Sequence, residues 1–162
     1  MIKTAIIYSR TNSKRLKNKA LINIYKKKTL IETVVQNTLK IKSIKKIIVA
    51  TTKSKEDLIF NKILNKYNVD FFYGSKNDLI DRTIKCSKKY NFDFFLRVCG
   101  DRPFFSYNFI NKAISEINRK KISFDLTSNN KYNKKVDQGL TVEIVSVESL
   151  KKLKKKKLSK YD

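Results

Sequence analysis

The sequence predicts an α/β domain built on a mainly parallel sheet with helices on both faces. Three observations predict it. Short apolar runs alternate with amphipathic helical segments over four cycles, the runs are apolar on both faces, and polar or charged residues punctuate each run at its carboxyl end. Ligands in such sheets bind beyond the carboxyl ends of the strands. That rule picks out the loop after Tyr8, the segment Ala50-Thr51-Thr52, Gly74-Ser75 and Gly100-Asp101.

Ile2–Tyr8 reads as the first strand, and the polar, basic residues 9–19 as a loop. In TLIETVVQNTL, Leu30, Ile31, Val34, Val35 and Leu39 recur at helical spacing, and Thr29 with Glu32 forms a capping box. Lys46–Thr52 is the second strand. Ser54 caps a helix expected through Tyr67, with Leu58, Ile59, Ile63 and Leu64 on one face. Val69–Tyr73 is the third strand, closed by Gly74, and a helix follows from about Asp78 to Tyr90. Phe92–Val98 is the fourth strand, and Pro103 and Ser106 introduce a helix through about Arg119. Beyond it the pattern loosens. Phe124–Ser128 and Gly139–Ser146 read as strands around a polar loop, and Ser146 caps a basic helix through Lys157.

The 162 residues fit a single domain, residues 1–162, and a chain of that size buries about 70% of its unfolded surface. No apolar run is long enough to span a membrane, and the N-terminal charges follow the apolar stretch, the reverse of a secretory signal, so the expected location is the cytoplasm. Cys86 and Cys99 form no CxxC pair and read as free thiols. The chain has no histidine, which excludes any mechanism that needs an imidazole base.

The net charge of +24 attracts phosphate backbones in general. Only six of the 38 basic residues are arginine, however, and the lysines are spread along the whole chain. Phe71, Phe72, Phe94 and Phe95 lie inside strands, where they read as core rather than as a stacking platform. A basic nucleic-acid-binding domain is therefore the rival reading from another class, and nucleic acid is not the expected partner. The charge is equally compatible with a small polyanion.

Three constellations carry chemistry. Ser9–Leu21 presents Arg10, Arg15 and Lys19 with Ser13 among them, directly after the first strand. Three cations and free backbone donors suit a triphosphate, whose charge has to be offset before its α-phosphorus is attacked. The loop lacks the glycines of a Walker motif, and the same residues fit an ordinary lysine-rich surface loop. Asp101, beside Gly100 at the end of the fourth strand, can hold Mg²⁺ through one oxygen and water. The alternative is a helix cap or turn aspartate before Pro103, with Arg97 and Arg102 as salt partners. In Gly74–Arg82, Gly74 permits close backbone approach, while Asp78 and Asp81 read as helix N-terminal charge.

SRTNSKRLKNKAL, IIVATT, FFYGSKNDLIDR, LRVCGDRPF, SFDLTSN and QGLTVEIVS occur in that order. Together they resemble the cytidylyltransferase family of spore-coat polysaccharide biosynthesis proteins, relatives of the CMP-ulosonic-acid and CMP-sialic-acid synthetases. The family's opening motif A-R-x-G-S-x-R-L-P-x-K-x-L is matched by Arg10, Ser13, Arg15, Leu16, Lys19 and Leu21, and its G-D-x-P by Gly100, Asp101 and Pro103. The resemblance implies a nucleotide-diphosphosugar-transferase-like, Rossmann-like fold, CTP and a sugar as substrates, and Mg²⁺ as cofactor. It implies that Arg10, Ser13, Arg15 and Lys19 hold the nucleotide and its phosphates, with Ala50, Thr51 and Ser75 near the base and Arg82 near the nucleotide. Asp101 would be the metal ligand.

The chain departs from the family pattern at Asn12 and Asn18, where glycine is usual, at Lys17, at Arg102 and at Thr141, where a carboxylate is common. Family members also continue beyond the position of Asp162, and the relatives place a further metal-binding carboxylate there. The resemblance therefore implies a domain lacking its C-terminal segment, which binds nucleotide but turns over slowly, with a homodimer as one way to cover the apolar surface left open. A catalytically weak nucleotide-binding remnant of the same fold is the runner-up.

Overall fold

The computed structural model describes residues 1–13, 16–121, 124–128 and 140–155. In chain order these form β1 (Thr4–Tyr8), a 3-10 turn (Lys19–Leu21), a hairpin of β2 (Asn23–Tyr25) and β3 (Lys28–Thr29), α1 (Leu30–Leu39) and β4 (Lys46–Thr52). A 3-10 turn (Lys55–Leu58) then runs into α2 (Ile59–Leu64), followed by β5 (Asp70–Gly74), α3 (Leu79–Tyr90) and β6 (Phe94–Cys99). The chain continues with α4 (Tyr107–Lys120), β7 (Leu126–Ser128), β8 (Glu143–Ser146) and α5 (Val147–Lys155).

The main sheet has the order β5-β4-β1-β6-β8-β7. β1 is central and pairs in parallel with β4 and β6, and β5 extends the parallel set beside β4. β8 runs antiparallel to β6 and to β7. Alternation along the strands divides the core in two. Ala5, Ile7, Val49, Leu96 and Val98 face α1, α2 and α4, which contribute Ile31, Val34, Phe60, Leu64, Ile110 and Ile114. Ile6, Ile48, Ala50, Phe95 and Val145 face the other way, toward Cys86 of α3 and Val147 of α5. Both faces are covered, as a parallel sheet requires.

Local chemistry places the helices. Thr29 and Glu32 exchange both bonds of the capping box at the start of α1. Ser54, Asp78 and Ser106 each accept from the backbone N–H three residues on. Each such cap contributes about 1 kcal/mol. Ser106, not Asp101, caps α4, which removes the helix-cap reading of Asp101. Asp78 is a cap and Asp81 pairs with Lys85 and Lys154, as N-terminal helix charge predicts.

Several expectations need correction. The β2–β3 hairpin was not foreseen, because its two turn residues are Lys26 and Lys27, both at positive φ, where Asn-Gly would have given a signal. The helix expected from Ser54 to Tyr67 ends at Leu64 and buries Phe60 and Leu64, whereas Leu58 and Ile59 are 49% and 37% exposed. Its opening as a 3-10 turn rotates the expected stripe outward. Leu39 of α1 is also exposed. The polar loop at 129–135, Gly139, and Lys156 and Lys157 lie outside the described residues.

Candidate active site

The parallel strands β1, β4, β5 and β6 end along one edge, and a cleft of about 530 Å³ opens there. Arg10, Ser13, Lys19, Arg82 and Asp101 all line it. Its floor is made where β1 meets β6. The N–H of Gly100 donates to the carbonyl of Tyr8 at 2.9 Å, and a Cβ on Gly100 would stand 2.7 Å from that same oxygen and 2.8 Å from Ser9 Cβ. Only glycine allows this approach.

The basic loop folds back onto Thr11. The carbonyl of Thr11 accepts from Ser13 N and Asn18 N, both at 3.0 Å. Asn18 adopts the left-handed conformation at φ 57°, which asparagine tolerates, so the exchange from glycine is accommodated there. Asn12 has no positive φ and makes no such demand. The Thr11 N–H and hydroxyl both donate to Asp57 Oδ1 at 2.7 Å. Arg15 lies outside the described residues.

Lys19 Nζ donates to Asp101 Oδ2 at 2.9 Å across the cleft mouth. The expected arginine partners are engaged elsewhere, Arg97 by Glu143 and Arg102 by the hydroxyl of Thr141. Burial pushes the Asp101 carboxyl up, but the Lys19 hydrogen bond and charge, with the charge of Arg102, outweigh this and hold it below the ordinary carboxylate value. Among the described residues no three acidic or cysteine side chains gather into a metal cluster. Among the described residues lining the cleft Asp101 is the one carboxylate, and a carboxylate supplemented by water and phosphate oxygens is a donor set that suits Mg²⁺.

Arg82 is buried and lies along the cleft wall. Its Nε and Nη2 donate to the Ser75 carbonyl at 2.8 and 2.5 Å, and Nη1 to the Ala50 carbonyl at 3.4 Å. Gly74 makes room for it, since a Cβ there would be 2.4 Å from Arg82 Cγ. The guanidinium thus ties β4 to the segment that follows β5, and Arg82 is also part of the cleft lining. Burial, and then the charge of Arg10, lower its pKa.

The other expected residues sit differently. Ala50 and Thr51 are fully buried behind the cleft, and the Thr51 hydroxyl is spent on Asp57 Oδ2 at 2.9 Å. Ser75 lines a neighbouring cleft with Thr52 and Tyr73, and its hydroxyl accepts from Asp78 N. Lys76, Asn77 and Leu79 line the main cleft instead. They belong to the same Gly74–Arg82 segment, of which Arg82 was expected at the cleft and these three were not.

Residues 4–162 match the cytidylyltransferase family over nearly the whole chain. The chain belongs to the cytidylyltransferase family. An uncharacterized protein of Methanocaldococcus jannaschii is 36% identical over 156 residues, which are 96% of this chain and 61% of that protein. A cytidylyltransferase from Leptospira borgpetersenii serovar Hardjo-bovis superposes with a TM-score of 0.84 at 25% identity, over 94% of this chain and 63% of its own. A CMP:2-keto-3-deoxy-manno-octonic acid synthetase complexed with CTP has the same fold, with a TM-score of 0.71 at 15% identity, covering 98% of this chain and 80% of that one. The chain thus spans about three fifths of the length of the first two. No helix among the described residues is long and apolar enough to cross a membrane.

Proposed function

We propose that residues 1–162 form one nucleotidylyltransferase domain that transfers CMP from CTP to a hydroxyl of an acidic or modified sugar, in the cytoplasm, for surface polysaccharide. The observation that carries this is the convergence of Arg10, Ser13, Lys19 and Arg82 on one cleft with Asp101 at its mouth, in a member of this family. Four cationic side chains, Arg10, Lys19, Lys76 and Arg82, line the cleft against the one carboxylate of Asp101, which favours a polyphosphate.

In this reading Arg10 and Lys19 bind the triphosphate, Ser13 and the loop N–H groups orient it, and Arg82 holds the walls at the nucleotide. Asp101 would hold Mg²⁺, which when bound offsets charge on the phosphates. The sugar oxygen forms a bond to the α-phosphorus as the α–β bridging P–O bond breaks. Pyrophosphate leaves with the bonding electrons, and the hydroxyl proton passes to water. Positioning and electrostatics supply the acceleration, so no histidine is needed.

Titration of CTP, UTP, ATP and GTP with Mg²⁺ tests the donor, and pyrophosphate release with a panel of acidic sugars tests the acceptor. Tighter binding of CTP than of the other three is the expected result. Equal or tighter binding of ATP would overturn it.

A further inference from the structure

We infer that Asp57 is a positioning residue for the basic loop, fixing the main chain at Thr11 against the end of β4 and so setting where Arg10, Ser13 and Lys19 stand. This role rests on the nucleotide reading above. Asp57 does not line the cleft, and the residue is almost completely buried, at 1% exposure. Oδ1 takes the N–H and hydroxyl of Thr11, and Oδ2 takes the hydroxyls of Thr51 and Thr52 and the N–H of Thr52 at 2.9, 2.5 and 3.1 Å. Two carboxylate oxygens thus receive five donors, none of them a cationic side chain.

An acid serving only its own helix turn would accept from neighbouring N–H groups. The Oδ1 of Asp57 instead reaches a residue 46 positions earlier in the chain. From Thr11 the constraint spreads in both directions. Arg10 precedes Thr11, and the Thr11 carbonyl accepts from the N–H groups of Ser13 and Asn18, so both limbs of the loop hang from one residue. Residues 9–21 contain no proline to fix the main chain, so long-range hydrogen bonds such as those from Thr11 to Asp57 supply the restraint. Burial pushes the Asp57 carboxyl up, but the bonds from the Thr11 backbone and the threonine hydroxyls outweigh it and hold the carboxyl below its ordinary value. It is therefore ionised at neutral pH and able to accept at both oxygens.

The test combines amide hydrogen exchange in the nucleotide-free chain with CTP titration. Asp57→Asn can keep only one of the two oxygen poles, because the amide NH₂ cannot accept. It should speed exchange at Thr11, Ser13 and Asn18 relative to β1 and β6 amides, and weaken CTP about tenfold. Thr11→Val removes one donor without disturbing the carboxylate, should weaken CTP about threefold, and keeps the test open if Asp57→Asn unfolds. Thr11→Ser, which restores the hydroxyl, should return both readouts to the starting values. Unchanged loop exchange in Thr11→Val, or faster exchange with unchanged CTP affinity, would overturn the positioning role. Absence of CTP binding by the unsubstituted chain would overturn the nucleotide reading itself, and the exchange data would then report the anchor alone.

Discussion

Two aspartates stand at the same edge of the sheet and differ in almost every respect. Asp57 is buried and saturated by threonine and backbone donors, with no cationic side chain bonded to it. Asp101 has a side chain 43% exposed and is held by one lysine, itself 37% exposed. A carboxylate wrapped by five donors belongs to the fold, because any rearrangement strands buried N–H and O–H groups. A carboxylate held by one exposed cation costs little to release, since exposed pairs contribute at most about 1 kcal/mol. The two carboxylates therefore differ in how much structure depends on each.

Asp57→Asn should lower stability by about 3 kcal/mol, because it removes a buried charge-assisted network and leaves a main-chain donor facing an amide. Urea unfolding with an unchanged slope would measure it. The acid limb gives a second reading. The folded carboxyl lies below its ordinary value, so on acidification the unfolded chain takes up its proton first. This contribution is complete above the ordinary carboxylate range and is lost as the pH falls through the lowered folded value. The stability of Asp57→Asn should fall less steeply across that window.

Gly100, the immediate neighbour of Asp101, tests whether the open rim is also tightly built at its base. Gly100→Ala should cost about 2 kcal/mol, since its Cβ would press on the Tyr8 carbonyl, which is backbone and cannot step aside. A cost below about 0.5 kcal/mol, the usual range for surface changes, would mean that β1 and β6 part readily there.

Thr51→Val sharpens the contrast with a smaller change. It keeps shape and burial while removing one of five donors to Asp57, so about 1.5 kcal/mol is expected. A neutral result would mean that the remaining four donors satisfy the carboxylate by themselves.

What the sequence displayed and what it hid follow the same division. The strand ends, the capping residues Thr29, Ser54 and Ser106, and the cleft residues Arg10, Ser13, Lys19, Arg82 and Asp101 were legible, because periodicity, caps and charge are local signals. Thr51 was expected near the base, and the structure shows its hydroxyl bonded to the buried Asp57. Nothing local distinguishes a threonine facing a cleft from one facing a buried acid 6 residues on. Asp57 itself was hidden among the ordinary first-turn acids of a capped helix, although two threonines ending a strand just before it were a usable hint. The Lys19–Asp101 pair escaped for a related reason. Arg97 and Arg102 were nearer in sequence, but the parallel sheet brings the loop after β1 to the turn after β6.

Asp101→Asn is expected to change stability least and function most. The amide has nearly the shape of the carboxyl and can still accept from Lys19, so the loss is part of an exposed ion pair, under about 0.5 kcal/mol. Unfolding curves should nearly superpose on those of the unsubstituted chain. The charge itself is what a cation needs, and the described residues offer no cluster of acids to replace it. Mg²⁺-dependent pyrophosphate release should therefore disappear from any assay in which the unsubstituted chain is active. Affinity for CTP in the presence of chelator should hold or rise, because Lys19 is no longer pinned by a full negative charge. Binding with and without Mg²⁺ separates these effects. If Asp101→Asn instead lost several kcal/mol of stability, Asp101 would belong with Asp57 as a structural anchor, and the distinction between the two would collapse.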